Sequence, residues 1–159
     1  MTPEVIRSRE SLNEDDIKVL GMLAHNNSAG KICQKLKCDE QYLASKKRLI
    51  SEKMDDPETQ EGVCKAIIWA VNNDRIMFSN PHGFPSDFQL ENDDYHFLIM
   101  IGRGMTKGQM ARDLHISVNN VIERRERLWM GLGFKSVYPM VAWAAYDVKQ
   151  GTSQGSRIM

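Results

Sequence analysis

The chain has 159 residues with 21 basic and 21 acidic side chains, so its formal charge is zero, which counts against a simple electrostatic binder of nucleic acid. Division after Phe78 leaves 12 basic and 13 acidic residues before it and 9 and 8 after it, so neither half is globally basic. Hydrophobic content of 42% suits a folded chain, and no apolar run is long enough to span a membrane. The opening MTPEVIRSRE lacks the apolar stretch of a secretory signal. Three cysteines without an export signal point to a reducing cytoplasm.

Residues 1–11 read as a polar N-terminal extension. Leu12 to Asn26 then predicts a first helix, with Ile17, Leu20, Leu23 and Ala24 as its apolar stripe. Glu14, Asp15 and Asp16 fall in its first turn, where the helix dipole favours carboxylates. Ser28 to Met54 predicts two further helices, the second of them over Asp39 to Met54. Val63 to Asn73 predicts a fourth, apolar nearly all round, which requires burial on more than one side. The segment 79–87 is a loop on composition, in which Phe84, with Phe88 just beyond it, is expected to pack.

The pattern then returns at an offset of seventy-eight residues. LENDDYHFLIMIGRG repeats LNEDDIKVLGMLAHN, with Asp93 and Asp94 in the equivalent turn. Leu36 falls where Leu114 does, Leu43 where Val121 does and Ile50 where Leu128 does. Thr106 and Gln109 make a capping box. Met110, Ala111 and Leu114 share one face, and His115 and Ile116 form a turn. Ser117 caps a longer helix whose seam is Val121, Leu128 and Leu132, closed by Gly133. Met140 to Val148 answers the apolar fourth helix. The expected organisation is therefore a first domain over 12–78, a linker over 79–87, a second domain over 88–150 and a flexible tail over 151–159.

The run from Met105 to Phe134, with KGQMARDLHIS, the early Val121 and Leu132-Gly133-Phe134, resembles the helix-turn-helix of LuxR/GerE (NarL/FixJ) transcription regulators. The resemblance covers Phe88 to about Gln150 and, through the repeat, the first half as well. It implies an all-α fold of two tandem four-helix domains, in which the third helix of each reads DNA and the fourth makes a dimer contact. Trp69 with Ile68 and Trp143 with Val141 are expected to meet there, giving an intrachain pseudo-dimer. The two recognition helices would then enter major grooves about 34 Å apart.

On the first recognition helix the face away from Leu43 and Ile50 offers Gln41, Ala44, Ser45, Lys46 and Arg48. On the second it offers Asn119, Asn120, Ile122, Glu123, Arg124, Glu126 and Arg127. Arginine bonds guanine bidentately, glutamine does so to adenine, and lysine mainly neutralises phosphate. Lys31, Lys35, Lys107 and Arg112 are candidates for added phosphate contacts. The sequence departs from the family: Ala44 and Ile122 stand where the family commonly has lysine, and in the second copy Glu123 and Glu126 repel phosphate unless they accept from a cytosine amine. Lys47 and Arg125 replace what is usually an apolar residue. The first copy is therefore the expected reader. The plain alternative for all these charges is solvated helix surface.

Cys33, Cys38 and Cys64 lie in apolar patterns and read as small buried hydrophobes rather than metal ligands. Four scattered histidines and the absence of a catalytic constellation predict no enzyme, no metal and no cofactor. The expected partner is double-stranded DNA, bound by a cytoplasmic regulator, more often an activator, acting as a monomeric pseudo-dimer or a homodimer. Such a regulator suits a bacterial plasmid, phage or acquired operon. The competing expectation is an adaptor or anti-activator that docks on RNA polymerase or on another regulator.

Overall fold

The computed structural model describes residues 12–25, 27–76 and 92–151. The expected N-terminal extension, the 79–87 linker with Phe84, and Phe88 lie outside those residues, as does the expected tail beyond residue 151. Within them the fold is all-α, with no strand. The helices are α1 (Glu14–Ala24), α2 (Ala29–Leu36), α3 (Glu40–Lys53) and α4 (Thr59–Asn72), then α5 (Asn92–Gly102), α6 (Lys107–Leu114), α7 (Val118–Gly131) and α8 (Val137–Gly151). None is long and apolar enough to cross a membrane.

Local chemistry explains the boundaries. Asn13 caps α1 and exchanges hydrogen bonds with Asp16: the Asp16 amide donates to Asn13 Oδ1 at 2.8 Å, and the Asn13 amide donates to Asp16 Oδ2 at 3.0 Å. Ser28 caps α2 by accepting from the Lys31 amide, and Asp39 caps α3 by accepting from the Tyr42 amide at 2.7 Å. The same places in the second half are held by Thr106, boxed with Gln109, and by Ser117, which accepts from the Asn120 amide. Between each pair of helices one residue turns left-handed, Lys37 at φ 55° and His115 at φ 56°.

The turn after α2 ends as a Schellman motif: the Cys38 amide donates to the Cys33 carbonyl at 3.0 Å. In the second half the Ile116 amide donates to the Ala111 carbonyl at 3.1 Å. That motif brings the side chains at its two ends together, which is why these positions accept Cys and Cys in one copy and Ala and Ile in the other. Cys33 and Cys64 are buried and Cys38 is half-buried, all as free thiols. Burial pushes the Cys64 thiol up to about 12.

The most extensive packing within the first half joins α3 to α4, and within the second half α5 to α8. Nearly as extensive is the contact of α4 with α8, and α8 also packs on α1. The two halves therefore share one continuous core, with Leu20, Ile32, Leu43, Ile50, Ile67, Phe97, Val121, Leu132 and Met140 among its fully buried members. Both fourth helices run longer than the apolar stretches that predicted them, because their first turns, Thr59–Gly62 and Val137–Pro139, are partly polar or proline-bearing.

The contact expected between the fourth helices lies where α4 packs on α8. Ile68 and Val141 line a common cavity of about 220 Å³ with Cys64 and Ile101. Trp143, two residues after Val141, points to the other side of α8, since i and i+2 on a helix face apart. It lines a crevice with Tyr95, Leu98 and Ile99 of its own half, beside Asp147, whose Oδ2 accepts from the Tyr95 hydroxyl at 2.7 Å. Trp69 is half-buried at the edge of the core.

Candidate nucleic-acid interface

Each half presents a short helix, a left-handed turn and a capped fourteen-residue helix, with the buried seam of the longer helix at Leu43 and Ile50 in α3 and at Val121 and Leu128 in α7. The opposite face of α3 is open: Gln41, Ala44 and Arg48 are exposed and Ser45 is half-exposed. On α7, Asn119, Asn120, Glu123, Glu126 and Arg127 are exposed. Ile122 is not among them. It is half-buried in a crevice of about 380 Å³ between the halves, with Glu58, Trp129 and Tyr138.

Three of the cations expected to face DNA are engaged inside the molecule. Lys46 turns back across α3 to Asp16 Oδ1 at 2.8 Å, and Lys53 reaches Asp16 Oδ2 at 2.7 Å. Asp16 is 0% exposed and sits between them. Burial raises its pKa, but the two ammonium groups and the Asn13 amide outweigh that and hold the carboxyl below its ordinary value. Lys46 is correspondingly raised by its hydrogen bond to Asp16.

The second half repeats the device seventy-eight residues on. Arg124 lies 3.6 Å from Asp94 and stacks 5.0 Å from the centroid of the Phe97 ring. The third engaged cation is Lys107, whose Nζ donates to Glu58 Oε2 at 2.7 Å across the gap between the halves.

Lys47 and Arg125, where an apolar residue was expected, also bridge the halves. Arg125 donates to Glu61 Oε1 at 2.7 Å, and the Lys47 ammonium lies 5.7 Å from the Tyr138 ring centroid. Each longer helix therefore touches the fourth helix of the other half. For Arg125, burial works against the charge but the Glu61 carboxylate more than compensates, so its pKa stands above the ordinary value. At the far end, Lys149 pairs with Asp74 and donates to the Val71 carbonyl at 3.3 Å.

What remains for a polyanion differs between the copies. Residues 29–53 carry seven cations and three carboxylates, of which Lys46 and Lys53 are spent on Asp16. Lys31, Lys35, Lys37 and Arg48 stay exposed. Residues 107–131 carry five cations and three carboxylates, but Lys107, Arg124 and Arg125 are ion-paired, leaving Arg112 and Arg127 against Asp113, Glu123 and Glu126. Two large apolar side chains on α3, Tyr42 and Leu49, are also exposed and were not among the expected contacts. Their signal was present in the sequence, since both fall outside the Leu43–Ile50 seam.

Compared with known protein families, curated proteins and solved structures, the chain matches none.

Proposed function

We propose that the protein is a sequence-specific regulator of transcription that binds double-stranded DNA, with two LuxR/GerE-type helix-turn-helix units joined in one chain as a pseudo-dimer. Its first unit is the reader. The observation that carries this is the α2–turn–α3 unit: capped at Ser28 and Asp39, turned at Lys37, and exposing Gln41, Ala44 and Arg48 with Lys31, Lys35 and Lys37 beside them. A helix held this way presents its outer face to a major groove, where Arg48 recognises guanine and Gln41 adenine. The extensive packing of α4 on α8 supports a fixed relation between the two units.

A second reading, docking of α7 on a protein such as RNA polymerase, draws on the acidic exposed face of that helix at Glu123 and Glu126. Titration of the full chain against duplex DNA over a range of salt separates the two. Three phosphate contacts from the first unit, Lys31, Lys35 and Lys37, give a log–log slope of about −2.7, and Arg48→Ala lowers affinity for the preferred duplex far more than for random DNA. Absence of duplex binding at low salt would remove the regulator and leave the docking module.

A further inference from the structure

The outer surface of α3 has an apolar side formed by Leu49 and by Tyr42, which also borders a crevice with Asp15, Lys18 and Val19 of α1. Tyr42 and Leu49 are each 49% exposed and stand seven residues apart, so they lie along one line of the helix. At the same places α7 carries Asn120 and Arg127, both exposed, and the second unit has the same caps and turn without any apolar pair there. The pair is thus dispensable for the architecture and free to meet an occupant, as are Val118 and Met130 near the two ends of α7.

The surroundings select that occupant. Gln41 and Arg48 form the neighbouring line of the same helix, about 100° round from Tyr42 and Leu49. Lys31, Lys35, Lys37 and Arg48 are exposed on the same unit, and none of them is in an ion pair among the described residues. An aliphatic side chain beside an arginine, within a cationic frame, complements a polyanion that itself bears an apolar group. In the major groove that group is the 5-methyl of thymine, the feature that distinguishes thymine from every other base edge by apolar contact.

We propose that Leu49, supported by Tyr42, reads thymine methyl groups next to the base pairs contacted by Arg48 and Gln41. The recognised half-site then combines a guanine with at least one flanking thymine. This rests on the DNA-binding reading above and specifies what that reading leaves open.

The test uses the full chain. Duplexes enriched from a random pool are resynthesised with deoxyuridine replacing thymidine one position at a time, and affinity is measured at fixed salt. Loss of one methyl contact weakens binding about fourfold at one or two positions and leaves the others unchanged. Leu49→Ala binds the thymine and uracil duplexes equally at one of those positions while keeping the salt slope and the thermal midpoint of the parent chain. Indifference to uracil at every position, or a Leu49→Ala chain that keeps the full thymine preference, overturns the proposal with DNA binding intact. A pool that yields no enriched duplex overturns the DNA-binding reading itself, and this inference with it.

Discussion

Asp16 decides how α1 and α3 are held together. By sequence it belongs to the first turn of a helix, as one of three carboxylates serving the dipole. The structure buries it completely, boxes it to Asn13 and clamps it between Lys46 and Lys53. A carboxylate so placed is tolerable only as an anion with its partners present. Asp16→Ala removes two ion pairs, one of them a charge-assisted hydrogen bond from Lys53, together with the box, and should cost about 3 kcal/mol in urea unfolding at pH 7. Because the folded pKa lies below the unfolded value of about 3.9, the ion-pair stabilisation is present above pH 4 and disappears as pH falls through the folded value. Asp16→Asn should flatten that acid limb, and a parent chain equally stable at pH 7 and pH 3 would contradict the assignment. In the second half the matching Asp94 has one cation, Arg124, because Gly131 stands where Lys53 does.

Helix ends and crossings were legible to different degrees. The caps Thr106 and Ser117, the turn at His115 and Ile116, and the left-handed Gly133 follow from residue types at fixed spacing. Such signals act over a few residues and need no tertiary context. Ser117→Ala should therefore destabilise by about 1 kcal/mol, seen as a lower thermal midpoint with an unchanged fold. The close approach of α4 to α3 was not legible. A Cβ on Gly62 would lie 2.0 Å from Ser51 Oγ and 2.6 Å from the Ser51 Cα, so only glycine permits this crossing. Ser51 is itself fixed, with its hydroxyl donating to the Asp56 carbonyl at 2.8 Å. Gly62→Ala should cost about 3 kcal/mol by calorimetry despite its better helix propensity, whereas Gly30→Ala, with open space around it, should stabilise or be neutral. Equal effects at the two sites would show that the crossing yields.

At the scale of the molecule, the two halves are tied by reciprocal contacts as well as by the α4–α8 core. Arg125 reaches Glu61, Lys107 reaches Glu58, and Lys47 covers Tyr138. The Arg125 side chain is only 12% exposed and Glu61 19%, so this pair is partly desolvated and worth more than a surface bridge. A double-mutant cycle of Arg125→Ala and Glu61→Ala should return a coupling of about 1–2 kcal/mol in global unfolding. A coupling near zero would mean that the halves are held by apolar packing alone. The same pair explains why Arg125 departs from an apolar expectation at its position: it belongs to the boundary between halves.

Periodicity, caps and a seventy-eight-residue offset were enough to predict eight helices in two matching sets, because those signals are local or repeat along the chain. They also showed which faces of α3 and α7 turn away from the core. Which cations remain available on those faces was settled only by tertiary packing. Lys46 meets Asp16 across thirty residues of chain, and Arg125 meets Glu61 across sixty-four. A basic residue looks the same in sequence whether it faces solvent or a carboxylate on a neighbouring helix. Its role is decided by the helix that packs beside it, and that choice depends on how all the apolar stripes are buried at once.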